Sequence, residues 1–177
     1  MATSVLLGYS TRYGSTKEVA EAIAAVLRDA GLEVKLERIK DVRSLEAYRA
    51  VVVGAPLYIG SWPGEAKNFL ADHQAALAQR PLVVFALGPL SGDEAEMKGA
   101  REQLDKELAK LPSIKPVDVA LFAGKFDPKT LHFPDNLLTL MPGSPLYKRS
   151  ASDVRDWTAI RGWAASLPPK LTAGKAG

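Results

Sequence analysis

Val5-Leu6-Leu7-Gly8-Tyr9-Ser10-Thr11-Arg12-Tyr13-Gly14-Ser15-Thr16-Lys17-Glu18 is the stretch that decides the fold. A short apolar run stops at a cluster of hydroxyls and a glycine, and a helical pattern begins at once. The order is strand, loop, helix, with the loop at the carboxyl end of the first strand. Open α/β sheets bind their ligands at that edge. Ser10, Thr11, Ser15 and Thr16 offer hydroxyl donors. Gly14 lets the backbone approach a ligand closely or take positive φ. The helix start adds unpaired N–H groups and partial positive charge. Together these predict a phosphate-binding loop. Ser15 and Glu18 also match the S-x-x-E capping box, which would account for those two residues without a ligand. The loop is not G-x-x-x-x-G-K-S/T, because Gly8 and Gly14 are wrongly spaced and no lysine follows Gly14. Nor is it G-x-G-x-x-G.

Outward from this loop the chain alternates between strand and helix patterns. Strands are predicted over 5–9, 34–39, 50–55, 82–87 and 117–123. The runs at 50–55 and 82–87 are apolar throughout, as expected of strands buried on both faces. Helices are predicted over 17–30, 63–77, 93–111 and 153–167, the second opened by Pro63 and the last stopped by Pro168-Pro169. Such alternation predicts a doubly wound parallel sheet covered on both faces. The expected organisation is one domain over 1–167 with a non-periodic insert at about 124–152, followed by a flexible tail over 168–177. Connections as long as this insert are usually functional or disordered.

Composition narrows the function. The chain has 177 residues, of which 47% are hydrophobic and 24% charged, ordinary values for a globular domain. It has no cysteine, which excludes disulfides and thiol chemistry. His73 and His132 lie far apart with no ligand spacing, so no metal site is expected. Net charge is +3 and points mildly to anionic partners. Lys and Arg are scattered without interleaved aromatics, which argues against nucleic acid. No apolar run of about 18 residues suggests a membrane span, and the start of the chain lacks a secretory pattern, so a cytoplasmic location is expected. A phosphoacceptor receiver domain is excluded, because Tyr9-Ser10-Thr11 and Pro56-Leu57-Tyr58 stand where its acidic residues would be.

The pattern Ser10-Thr11-Arg12-x-Gly14-x-Thr16 resembles the hydroxyl-rich phosphate loop of the flavodoxin family, which grips the monophosphate of FMN. Within that family it is most similar to the branch containing the menaquinone-dependent protoporphyrinogen oxidases. The resemblance covers residues 1–167 and is concentrated in 10–16, 54–62 and Asp153-Val154-Arg155-Asp156-Trp157. It implies a flavodoxin-like five-stranded sheet of order 2-1-3-4-5 and a bound FMN. FAD is not suggested, since no second nucleotide-binding pattern is visible. The implied cofactor-binding residues are Ser10, Thr11, Arg12, Tyr13, Gly14, Ser15 and Thr16 around the phosphate. Two later loops would sandwich the ring. These are Pro56, Leu57, Tyr58, Ile59, Gly60 and Trp62 after the third strand, and Leu87, Gly88, Pro89, Leu90 and Gly92 after the fourth. Tyr58 and Trp62 would supply aromatic faces, Gly60 a peptide free to turn toward N5, and Gly88 and Gly92 room and N–H groups for N1 and O2. The alternative is that the aromatics only cover the sheet edge, a reading as strong as the flavin one for Trp62 and weaker for Tyr58.

The activity the resemblance implies is that of an FMN-dependent oxidoreductase, oxidising protoporphyrinogen IX or reducing a quinone. The alternative is a flavodoxin-type electron carrier serving a redox partner protein. No side chain is singled out as catalytic. In the insert, Lys125, Lys129, Lys148 and Arg149 outnumber Asp127 and Asp135, and Leu137-Leu138-Thr139-Leu140-Met141 is apolar. Such a segment is too apolar for a free linker. A lid near the flavin, a dimer contact, a peripheral contact with the inner membrane face, or an insert merely packed on the domain are the readings it allows.

Overall fold

The apolar runs become the strands of one parallel sheet. The computed structural model describes residues 2–58 and 61–174. Strands β1 (Ser4–Tyr9), β2 (Glu33–Arg38), β3 (Ala50–Pro56), β4 (Leu82–Leu87) and β5 (Asp118–Phe122) lie in the order β2-β1-β3-β4-β5. All four neighbouring pairs are parallel. This is the predicted fold. Alternate residues point to opposite faces. Val5, Leu7, Val52, Val83 and Phe85 pack under helix α1 (Ser15–Asp29) and the C-terminal helices, whereas Leu6, Val51, Val53 and Val84 pack under the helices of the other face.

That other face is covered by α2 (Gly64–Asp72), α3 (Gln74–Ala78) and α4 (Glu94–Ala109). The single helix predicted over 63–77 is broken at His73, whose backbone leaves helical values while its ring packs on Phe69 at 4.8 Å. Gly54 sits where β3 crosses the Phe85 ring. A Cβ there would lie 1.9 Å from Phe85 Cζ, so only glycine lets the ring lie flat on the strand.

The insert is folded. It opens with β6 (Lys125–Phe126) and ends in β7 (Ser152–Asp153), which pair antiparallel. Between them run two 3-10 turns, Pro128–Thr130 and Asp135–Thr139. Because Ser152–Asp153 is taken up by this ribbon, the last long helix starts later than 153. It is α5 (Trp157–Ala165), capped by Asp156 accepting from the Ala159 N–H at 2.9 Å. Trp163 of α5 meets Phe122 edge-on at 5.5 Å, so this tryptophan packs in the core.

Pro168-Pro169 does not end order. It opens α6 (Pro168–Thr172), since the first turn of a helix tolerates proline. Leu171 is 2% exposed against the core, which corrects the flexible tail for residues 168–172. Residues 175–177 lie outside the described residues. Among the described residues no helix is long and apolar enough to cross a membrane.

Candidate functional site

The carboxyl ends of β1, β3 and β4 converge on one edge, as the topology requires. Ser10 continues the β1–β3 pairing, its N–H donating to the Gly54 carbonyl at 2.9 Å. The chain then turns through Gly14, at φ 91°, into α1. The Gly14 N–H donates to Thr11 Oγ1 at 2.9 Å, which leaves the Thr11 hydroxyl proton free to donate elsewhere.

The capping box does not form. Gly14 occupies the cap position and no side chain caps α1. Ser15 is already helical, and Glu18 turns away to Arg155 at 2.5 Å and Lys125 at 4.0 Å. The leading N–H groups of α1 therefore lack helical acceptors. Beside them Thr16 is fully buried, and its Oγ1 has no hydrogen-bond partner. A buried hydroxyl left unsatisfied costs about 1–3 kcal/mol. An uncapped helix start, positive φ and an orphaned hydroxyl are together the features that an anion cradle requires.

Next to it opens a cavity of about 620 Å³, a size typical of small-molecule sites. Tyr13, Ser15 and Thr16 line it at the cradle. Leu57 lines it after β3, and Leu87, Gly88, Pro89 and Leu90 after β4. A second cavity, of about 470 Å³, takes Ser10, Thr11 and Trp62. Arg12, Pro56 and Tyr58 form the wall common to both. Gly14 and Gly92 line neither; each shapes a turn, Gly92 at φ 69° ahead of α4. Trp62 is 2% exposed and packs in the core with Ala66 and Phe69, and its Nε1 lacks a partner. Ile59 and Gly60 lie outside the described residues.

More of the larger cavity's lining comes from α4, which sequence reasoning did not assign to it, and from the insert, for which a lid near the flavin was one of the readings. Gln103 and Ala100 of α4 face in, and the insert contributes Phe126, Leu146 and Arg149. The insert is fastened to the anion cradle by a cluster that sequence reasoning missed. Asp135, 6% exposed, pairs with Arg12 at 2.6 Å and accepts a hydrogen bond from the Tyr13 hydroxyl. Arg12 lies over the Tyr58 ring at 4.9 Å, and Tyr13 packs against His132 at 5.9 Å. Arg12 is thus committed to a carboxylate of its own chain.

The same cluster sets the ionisation of both phenols. Burial, followed by the hydrogen bond to Asp135, raises Tyr13 above the usual tyrosine value. Burial, followed by the charge of Asp135, pushes Tyr58 up to about 12. The Tyr58 hydroxyl is buried without a bonding partner, so Asp135 acts on it through its field. Both phenols stay neutral at physiological pH.

A parallel sheet of this order with a hydroxyl-rich loop after β1 defines a class, and sequence comparison agrees. The chain belongs to the flavodoxin-domain family, whose profile matches residues 6–141. It is 20% identical to the protoporphyrinogen IX dehydrogenase [quinone] of Escherichia coli, over 92% of this chain and 93% of that protein. It is 34% identical to the uncharacterized protein MJ0732 of Methanocaldococcus jannaschii over 70% of this chain, a stretch that makes up 32% of that longer protein. Among solved structures, a flavodoxin from the Archaea superposes with a TM-score of 0.60 at 17% identity, covering 97% of this chain and all of the other. That likeness concerns the fold.

Proposed function

We propose that the chain binds one FMN non-covalently and works as an FMN-dependent oxidoreductase. The observation that carries this reading is Thr16 Oγ1, buried and unpartnered at the uncapped start of α1 beside the larger cavity. The phosphate would take the leading N–H groups of α1 and the hydroxyls of Ser10, Thr11, Ser15 and Thr16. After β4 the Leu90 N–H would meet one edge of the ring, whereas the Gly88 N–H, expected from the sequence to do so, donates to the Phe122 carbonyl at 2.8 Å. Leu57 and Tyr58 would cover one face, in the mostly apolar setting that flavin sites use. Gly14, Pro56, Ile59, Gly60 and Gly92 also belong to the sequence-based set, as does Arg12, which pairs with Asp135 instead, and Trp62, which is buried with Ala66 and Phe69. Bound FMN supplies one- and two-electron redox chemistry at its ring.

The protein's own contribution is placement and exclusion of water. Phe126, Leu131 and Leu146 of the insert line the cavity together with Leu57 and Leu87.

The substrate reading follows the Escherichia coli relative, whose printed activity is quinone-linked protoporphyrinogen dehydrogenation and whose length this chain nearly spans. Quinone reduction or porphyrinogen oxidation is therefore the favoured reaction. The insert-walled cavity favours such a small-molecule reaction over a carrier role, which needs only an exposed ring edge and a partner protein. The test is anaerobic reduction of the FMN-loaded chain, followed by mixing with a menaquinone analogue. Rapid return of the oxidised flavin spectrum with quinol formation supports the reading. Reoxidation only by a redox partner protein would make the chain a carrier.

A further inference from the structure

Glu18 stands in the first turn of α1, where no side chain caps the helix. A carboxylate there steadies a helix, but it opposes any other anion brought to the same N–H groups. In this fold it is drawn aside by a clasp. Arg155 Nη1 donates to Glu18 Oε2 at 2.5 Å and to the Ser15 carbonyl at 3.3 Å. Arg155 Nε and Nη2 donate to Asp153 at 2.9 and 2.7 Å. The arginine side chain is 3% exposed, and the Trp157 ring lies 4.7 Å from its guanidinium. Lys125 Nζ stands 4.0 Å from Glu18 Oε1. Lys125 and Asp153 face each other across the β6–β7 ribbon. The two ends of the insert therefore hold the carboxylate of α1 between them.

The charges in this clasp cancel: Arg155 and Lys125 against Glu18 and Asp153. Removing Arg155 would leave one uncompensated negative charge at the first turn of α1, where a phosphate dianion would have to sit. The planar fork, fixed on both carboxylates and stacked on an indole, is a rigid charge that lysine would not reproduce.

Resting on the FMN reading above, we propose that Arg155 is a positioning residue for the cofactor phosphate. It neutralises Glu18 and holds the Ser15 carbonyl, so that α1 presents a positive end to the dianion. A purely structural brace would affect FMN and its phosphate-free counterpart riboflavin alike. A charge-setting role separates them.

The experiment measures binding of FMN and of riboflavin by flavin-fluorescence quenching, on the full chain at low salt. The variants are Arg155→Met, Glu18→Gln and the two combined, with thermal melts on each. Arg155→Met is expected to weaken FMN roughly tenfold while changing riboflavin less than about twofold, the scale of one lost charge-assisted contact. Adding Glu18→Gln restores most of the loss. Glu18→Gln alone tightens FMN and leaves riboflavin unchanged, which keeps the test decisive should Arg155→Met fail to fold. Unchanged FMN affinity in Arg155→Met, equal losses for both flavins, or no response to Glu18→Gln overturns the role of Arg155. A wild-type chain that binds no FMN overturns instead the cofactor reading on which this role rests.

Discussion

Asp135 of the insert and Arg12 of the loop before α1 meet at 2.6 Å, the carboxylate almost wholly buried and the guanidinium half exposed. Tyr13 donates to the same carboxylate. This contact joins the insert to the part of the fold that would hold a phosphate. Removing the carboxylate in Asp135→Ala breaks one ion pair and one charge-assisted hydrogen bond and is expected to cost about 1–3 kcal/mol. Amide hydrogen exchange should rise across residues 131–147 while β3 and β4 stay protected. Unchanged protection of the insert would show that it is held by other contacts.

Thr16→Val separates stability from binding. Valine keeps the shape of the side chain and removes the unpartnered hydroxyl. The apoprotein should therefore melt no lower than wild type, whereas FMN affinity should fall by about 1–3 kcal/mol, the worth of a hydrogen bond to a charged group. Equal FMN affinity in the two proteins would remove Thr16 from the site.

Tyr58, raised to about 12 by burial and the field of Asp135, makes a prediction at alkaline pH. Its folded value lies above the unfolded value of 10. The folded state thus binds the phenolic proton more tightly. That contribution to stability is complete below pH 10 and is lost as pH rises from about 10 towards 12. In the apoprotein, tyrosinate absorbance should show a late-titrating phenol that Tyr58→Phe removes. Tyr58→Phe should also lessen the fall in stability across that window. A titration of Tyr58 at the ordinary tyrosine value would contradict the placement of its hydroxyl beside Asp135.

Phe133, Leu140 and Met141 are the most exposed large apolar side chains described, at 78%, 72% and 53%. All three lie in the insert, close in sequence to Lys129, Lys148 and Arg149. Apolar anchors beside cations suit an anionic lipid surface. Phe133→Ser with Leu140→Ser should abolish sedimentation with vesicles containing phosphatidylglycerol and leave FMN binding intact. Wild-type protein that never sediments with such vesicles would reject this surface as a membrane contact.

How much of this was legible depended on the range of the interactions. The β3 and β4 runs and the amphipathic α1 carry their signal locally, and the structure places them as their patterns predict; the hydroxyl-rich loop falls between β1 and α1. The S-x-x-E alternative at Ser15 and Glu18 does not form because the partner of Glu18, Arg155, is distant in sequence and invisible to local pattern. Asp135 gave no signal for the same reason. A single acid in an irregular insert looks solvated until the fold brings Arg12 and Tyr13 to it. The start of α5 was set too early because a two-residue strand such as Ser152–Asp153 has no periodicity to read. Pro168-Pro169 was read as a stop, although proline at the first positions of a helix is compatible with the turn that buries Leu171.

The central claim is that the cradle at Gly14, Ser15 and Thr16 holds the phosphate of FMN. Calorimetric titration of the flavin-free chain with FMN tests it most directly. The account predicts one FMN per chain at micromolar or tighter affinity, with riboflavin bound distinctly more weakly. No binding of FMN at micromolar concentration, or equal affinity for the two flavins, would contradict it.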